Sequence, residues 1–412
     1  MTNPTNTPKA NSSQQPLAGL KVLDMTQFLS GPFGSMVLGD LGAEVIKIEP
    51  RSGELSRTIP PHFVADDSVY YLSVNRNKKN MVVDLKKIEG IEVIKNLVAN
   101  CDIVIENFRP GVLERLGISY DKLSELKPSI IWCSVTGFGQ DGPWRDWPAY
   151  DMMIQALSGG MSLTGTTEGP SVRAGIPLGD ISAGLYGVIG ILAALHERNL
   201  SGKGKHIDIA MMDCQVAMLS YQAAYYLHSG QVPGRQGTGH DSFPTYGTFP
   251  TKDGKSIVVT ANTEKMWKEM ANCLGLSALI TDPRFITNKE RLANRAQIEP
   301  LLQQAFLARN AQDWMDDFLA LGIPAGVVNT LDITLNSPQI QHRQMVVELK
   351  DEIGHSVKVV ANPIKFNEDL STRSDYPARL GEHTDSILKD LLGYSDEQIM
   401  NLNTAGAVYQ CD

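Results

Sequence analysis

The stretch Arg173–Arg198, RAGIPLGDISAGLYGVIGILAALHER, constrains the fold of this chain more than any other. Ile181, Leu185, Val188, Ile189, Leu192 and Leu195 recur at helical spacing, which predicts a helix after the Gly179-Asp180 turn and an apolar face along it. Gly184, Gly187 and Gly190 interrupt that helix. Each costs it about 1 kcal/mol against alanine, a loss that close packing on another element offsets. Asp180 falls at the helix start, where free N–H groups and the macrodipole favour a carboxylate that stays ionised. Taken locally, Asp180 reads either as an N-cap or as a carboxylate nucleophile.

With 412 residues, 42% of them hydrophobic and 20% charged, the chain has material for a large core and two or three domains. Its net charge of −9 and the lack of a dense Lys/Arg tract argue against nucleic-acid or anionic-membrane partners. Cys101, Cys133, Cys214, Cys273 and Cys411 are scattered without a C-x-x-C pair, which points to a reducing compartment and to no zinc site. The eight histidines show no metal-binding spacing. Residues 1–15 are polar and lack an apolar signal core, so a disordered tail is expected there. The longest apolar run, within Ile181–Leu195, is broken by Ser and Gly and is not expected to span a membrane. A cytoplasmic protein is expected.

Strands and helices alternate from the start. Lys21–Met25 reads as a strand, Pro32 opens a helix that Gly42 ends, and Ala43–Ile48 is the next strand. Further strands are predicted at Met81–Asp84, Asp102–Ile105, Ile130–Val135 and His206–Ala210, then one long helix over Met211–His228. That pattern is α/β, with a Rossmann-like large domain split in sequence. The expected boundaries are 16–225 for its first part, 226–330 for a smaller α+β domain, and 331–412 for a return segment. Pro324–Leu331 reads as the linker between the last two, with a strand at Ala325–Val328, and Gly230–Asp241 as a mobile glycine-rich loop. Gly137-Phe-Gly-Gln-Asp-Gly142 follows a strand and matches G-x-G-x-x-G. Pro143 and Pro148 then interrupt the helix that a dinucleotide phosphate requires, so no nicotinamide site is expected.

Four pieces stand together: Gly19 through GAEVIKIEPR, Glu106-Asn-Phe-Arg-Pro-Gly111, Ser134-Val-Thr-Gly-Phe-Gly139, and Gly179-Asp180. In their order and spacing the chain resembles the family III coenzyme A-transferases, of the formyl-CoA and carnitine CoA-transferase type. The resemblance runs from about Leu17 to the C-terminal LGEHTDSILKDLLGYSDEQI. YYLSVNRNKK, and GTGH followed by PTYGTFPTKDG, are most similar to the succinyl-CoA:glutarate, or dicarboxylate, branch.

The resemblance implies transfer of CoA between two carboxylic acids, with succinyl-CoA as donor and a small dicarboxylate as acceptor. Asp180 would attack the thioester to give a mixed anhydride, and the released thiolate would then form an aspartyl-CoA thioester. Such chemistry needs an ionised nucleophile and oxyanion donors, but no obligatory proton-transfer base. By family position, CoA contacts fall at Arg51, Val83, Lys86, Asn107, Phe108, Arg109, Arg115, Thr136, Gly137, Phe138 and Gly139. A loop with Gly237, Gly239 and His240 would close over the site. A substrate's second carboxylate requires a cation, for which Arg173, His240 and Arg76 are candidates. The resemblance also implies an interlocked homodimer, with no metal and no nicotinamide.

Two positions depart from the family: Pro50 where some relatives carry arginine, a role that Arg51 would take, and Leu29 where some carry glutamine. The second departure leaves the hydrogen-bond partner of the aspartyl intermediate unassigned. Two other readings compete. The α-methylacyl-CoA racemases share the helix-start aspartate but carry histidine in a G-H-D pattern, where this chain has Ala149-Tyr150-Asp151. A CoA-binding module without turnover would be favoured by loss of Asp180 or of the glycine loop, and both are present.

Overall fold

The computed structural model describes residues 15–235, 237–367 and 373–410, so residues 1–14 of the expected tail lie outside the described residues. Two compact units emerge. The first comprises 1–160, 174–223 and 338–412, and the second 161–173 and 224–337. The sequence predicts that 161–173 belongs to the large domain. In the structure this stretch is hydrogen-bonded within the second unit: Gly237 N donates to Gly165 O at 3.1 Å, and the Arg235 guanidinium reaches Thr166 O and Thr167 O.

The first unit is built on a sheet of six parallel strands, β1 (Lys21–Met25), β2 (Glu44–Glu49), β3 (Lys78–Val83), β4 (Ile103–Glu106), β5 (Ile131–Thr136) and β6 (His206–Ala210). Their order is β3-β2-β1-β4-β5-β6, and the short antiparallel strand Val408–Tyr409 closes the edge beside β3. The chain leaves β1 in one direction through β2 and β3, then returns to β1's other side with β4. Val22 of β1 accordingly has Val45 on one flank and Ile103 on the other. In an open α/β sheet such a reversal leaves a crevice at the carboxyl ends of the strands that part.

Helix α1 (Ser30–Asp40) follows β1, α2 (Ile88–Asn100) follows β3, and α3 (Asp151–Leu157) precedes the long α4 (Leu178–Ser201). By length and composition alone α4 is apolar enough to cross a membrane, and half of its apolar window is buried, with α4 packed on α1, β5 and β6. The buried face agrees with the one predicted at Val188 and Leu195 and differs elsewhere. Gly179, Ala183, Gly184, Gly187, Val188, Ile191 and Ala194 face inward, while Leu185, Ile189 and Leu192 are exposed. Small residues win the inner face because α1 lies too close for large ones: a Cβ on Gly184 would sit 2.6 Å from the Ser30 carbonyl oxygen.

The predicted helix Met211–His228 is two helices, α5 (Met211–Met218) and α6 (Tyr221–Ser229), broken where Ser220 takes a positive φ of 51°. In the second unit, Tyr246–Pro250, Ser256–Thr260 and Ala325–Val327 form an antiparallel sheet. The strand expected from sequence at Ala325–Val328 forms over Ala325–Val327 and is a full partner in that sheet, with Ile257 opposite Val327. In the core beneath that sheet the rings of Phe306, Trp314 and Phe318 pack on one another.

Candidate active site

The crevice predicted by the strand order is occupied by a cavity of about 320 Å³. Its wall comes from the segments that leave β1 (Gln27, Phe28, Ser30), β4 (Asn107 to Pro110) and β5 (Thr136, Gly137), together with Tyr70, Tyr150 and Asp180. Arg145, Trp147, Pro148 and Ala149 complete it.

Asp180 lies in the first turn of α4 but does not cap it. The capping carboxylate is Asp151 on α3: its Oδ1 accepts the Gly179 N–H at 2.7 Å, and its Oδ2 accepts from Gln155 Nε2 at 2.7 Å. This frees the Asp180 carboxylate to face the cavity. The helix start does not keep Asp180 fully ionised, contrary to the sequence expectation. Burial raises its pKa to about 7, and the nearby charge of Asp151 adds to the rise. The nearby Ser30 hydroxyl opposes it by favouring the ionised carboxylate. Ser30 is therefore a partner that the Leu29 position does not supply.

The turn that presents Ser30 is held from several sides. Phe28 sits at φ 62°, a strained conformation for a bulky residue. Its N–H donates to Glu54 Oε2 at 2.8 Å. Asn107 grips the preceding residue twice, accepting from Gln27 N and donating to Gln27 O, each at 2.8 Å. Beneath the turn, buried Lys78 donates to Asp24 Oδ2 at 3.0 Å and to Pro32 O at 3.0 Å, while Lys47 pairs with Glu54 at 3.1 Å. Burial lowers the Lys78 pKa to about 8 against the pull of Asp24. Burial works to raise the Asp24 pKa, but Lys78 and Lys47 hold it well below the carboxylate range. Tyr70 faces the same cavity, and burial followed by the negative charge of Asp180 pushes its phenol up to about 12.

Of the residues proposed from sequence, Asn107, Phe108, Arg109, Thr136 and Gly137 share the cavity with Asp180. Asn107 spends both ends of its amide on Gln27, so its side chain braces the site. Gly137 is required there, since a Cβ would lie 2.3 Å from that of Ala149. Phe138 and Gly139 do not line the cavity. Phe138 packs edge-on against Trp144 and Trp147, and Gly139 N donates to Thr136 Oγ1. No helix follows Gly142 before Asp151, as the two prolines predict.

Arg51, Val83 and Lys86 belong to the far edge of the sheet. Arg51 lies over the Tyr409 ring at 4.8 Å, Val83 pairs with Val408 with its side chain in the core, and Lys86 is exposed. Arg115 is exposed at the end of a short helix after β4.

Arg76 cannot receive a substrate carboxylate, because it is buried in a bidentate pair with Asp40 at 2.8 and 2.7 Å. Arg173, Gly237, Gly239 and His240 belong to the second unit. There the loop read as mobile is pinned at its end: Arg295 Nη2 donates to His240 O at 2.6 Å and to Asp241 O at 2.9 Å, and His240 stacks on Tyr246. Among the described residues there is no cluster of His, Cys, Asp or Glu able to hold a metal ion.

The family model described as CoA-transferase family III matches residues 17–384 of the chain. The chain is 40% identical over 397 residues to a Homo sapiens protein named succinyl-CoA:glutarate CoA-transferase, covering 96% of this chain and 90% of that protein. An Agrobacterium fabrum protein named succinate–glutarate CoA-transferase is 38% identical over 384 residues, covering 91% of this chain and 96% of its own length. Among solved structures, a CAIB/BAIF family protein from Brucella suis superposes with a TM-score of 0.81 at 37% identity, covering 92% of this chain and all of that one. With the family model spanning most of the sequence and relatives matched nearly end to end, the chain belongs to CoA-transferase family III and is an enzyme of that class.

Proposed function

We propose that this CoA-transferase moves CoA from succinyl-CoA, or a closely similar donor, to a small dicarboxylic acid, through a covalent aspartyl-CoA thioester on Asp180. The observation that carries the proposal is a carboxylate facing the crevice cavity with a serine hydroxyl and a second carboxylate as its neighbours. A carboxylate stripped of water and not neutralised by a cation is a stronger nucleophile than a solvated one.

In the first step an Asp180 oxygen bonds to the thioester carbonyl carbon, the C–S bond breaks, and CoA leaves as thiolate. The thiolate then attacks the aspartyl carbonyl of the anhydride and expels the donor acid as its carboxylate. An acceptor carboxylate runs both steps in reverse and restores Asp180. No proton is gained or lost along the way. The choice of a dicarboxylate as acceptor rests on the names of two relatives, both of which specify glutarate.

The racemase alternative requires a proton-transfer base at position 150. Tyr150 stands there, in the cavity wall, and a phenol serves poorly as that base near neutral pH. A homodimer fits the exposed Leu185, Ile189 and Leu192, which are 44%, 60% and 38% accessible along one face of α4. A reducing, cytoplasmic setting fits Cys101, Cys133, Cys214 and Cys273, all of them free thiols.

The test is mass spectrometry of acyl-CoA products, with the enzyme, succinyl-CoA and a panel of mono- and dicarboxylic acids. New thioesters are expected with diacids such as glutarate. Transfer to monoacids alone would overturn the substrate class. Retention of the acyl group with deuterium uptake from heavy water would replace transfer by racemisation.

The pH dependence follows from the same site. The carboxylate form of Asp180 is the nucleophile, so kcat/KM should rise with pH through about 7 and level off above it. Burial also raises a second buried carboxyl, Glu106, to about 7, so the limb alone does not identify its owner. Ser30→Ala removes a hydroxyl that favours the ionised form of Asp180. It should move the limb upward by roughly one pH unit while changing the high-pH plateau only a few-fold. Rates measured from about pH 5.5 to about 9 bracket the expected limb and check this. An unmoved limb would assign it elsewhere.

A further inference from the structure

We propose that Arg145 is the cation that receives the far carboxylate of the dicarboxylic acyl group, an inference that rests on the dicarboxylate reading above. Among the described residues three charged side chains line the cavity: Asp180, Arg109 and Arg145. Arg109 is exposed, and its segment Phe108–Pro110 also borders a smaller pocket outside this cavity. Arg145 is half-buried. Its Nε is fully enclosed without a hydrogen-bond partner among the described residues. A buried charged donor left unbonded is costly, and such a group in a native structure calls for a ligand.

Four buried cations of the first unit are already spent. Arg57 is bound to Glu49 and Asp67, Arg76 to Asp40, Lys47 to Glu54, and Lys78 to Asp24.

The loop that carries Arg145 is built to hold a side chain still. Trp144 and Trp147, which flank it in sequence, stack on each other at 4.8 Å, with Phe138 edge-on against both. Trp147 N donates to Trp144 O at 2.9 Å, and Gln140 N anchors the start of the loop on Asp208 Oδ2 at 2.9 Å. A guanidinium on a rigid support grips a carboxylate with two parallel hydrogen bonds, which an ammonium does not.

Distance separates this ligand from the phosphates of CoA. Those sit at the far end of the pantetheine arm. The second carboxylate of a four- or five-carbon diacid lies only a few bonds from the carbonyl that Asp180 attacks, within reach of a residue lining the same cavity. A cavity of about 320 Å³ holds such an acyl group.

The test compares wild type with Arg145→Gln and Arg145→Lys. It measures transfer from succinyl-CoA to glutarate and to butyrate, and binding of free CoA by calorimetry. Arg145→Gln is expected to raise KM for glutarate by about 10- to 100-fold with kcat changed far less, and to erase most of the preference for glutarate over butyrate. CoA affinity should stay within about twofold, and Arg145→Lys should fall between, because it keeps the charge and loses the fork. An unchanged KM for glutarate would overturn the inference. So would a parallel loss of CoA affinity, or an equal loss with butyrate, which would mark a CoA contact or a structural role. If wild type itself transferred to no diacid, the substrate reading would fall first and the assignment of Arg145 with it.

Discussion

Asp180→Asn is expected to abolish CoA transfer, by about 10⁴-fold or more, and at the same time to make the protein more stable at pH 8. The two effects share a cause. Burial, then the charge of Asp151, raises the Asp180 pKa from 3.8 to about 7. The folded state therefore holds a proton that the unfolded chain releases near pH 4. The stability linked to that proton is complete below pH 4 and is lost as pH rises through 7. Ionised Asp180 at pH 8 costs roughly 2–4 kcal/mol, the free energy of raising the carboxyl from 3.8 to about 7 discounted for partial solvation. Asparagine keeps the shape and avoids the charge. Thermal melts at pH 8 should show the variant several degrees above wild type, with the gap closing at pH 4. CoA binding should persist, since the substitution touches no phosphate contact. Substantial turnover by Asp180→Asn, or by Asp180→Ala as a second removal of the carboxylate, would sink the nucleophile assignment. A gap in melting temperature that did not depend on pH would sink the account of its burial.

Much of the site was readable because parts of it are local. The strands Lys21–Met25 and His206–Ala210 carry their own apolar pattern, and the carboxyl ends of the sheet deliver Gln27, Asn107 and Thr136 to one crevice once the strand order is known. Asp180 was legible from its place at a glycine-rich helix start. Its environment was not. The residue that caps the helix, Asp151, lies 28 positions from Gly179 in sequence, and Ser30 arrives from the first turn of another helix. The macrodipole argument for an ionised Asp180 fails because burial outweighs it, and burial depends on residues from β1, β4 and β5.

The same reason defeats the choice of Arg76. Nothing near it in sequence announces that Asp40 will take both of its guanidinium nitrogens. Arg145 was hidden inside a segment of interest chiefly as a false dinucleotide match. Periodicity misled in one place. Leu185, Ile189 and Leu192 of α4 mark its exposed side, because the inner side had to be small where α1 approaches.

That inner side sets the second large effect. In a solvent-exposed helix, glycine to alanine stabilises by up to about 1 kcal/mol. Gly184→Ala should do the reverse. Its Cβ would stand 2.6 Å from the Ser30 carbonyl oxygen, 3.1 Å from the Phe33 ring and 3.3 Å from Gly34 N. Two of those three atoms are backbone, so relief requires α1 to move as a body. Gly34 shows that the approach is close from both sides, since a Cβ there would lie 3.1 Å from Gly184 O. Overpacking of this kind costs about 1–3 kcal/mol. The activity should suffer more than the stability suggests, because the first turn of α1 carries the Ser30 hydroxyl onto Asp180. A displacement of a few tenths of an ångström weakens the influence of that hydroxyl and misplaces the nucleophile. We expect at least a tenfold fall in kcat together with an upward shift of the pH limb, as for Ser30→Ala. Gly187 supplies the control on the same helix face. Its Cβ would meet Cys133 Sγ at 3.5 Å, an ordinary contact, so Gly187→Ala should be neutral or mildly stabilising and fully active. Chemical denaturation and pH-rate profiles of the two variants separate the outcomes. If both alanines behaved alike, helix propensity rather than the approach of α1 would explain the glycines, and the link from their packing to the ionisation of Asp180 would be broken.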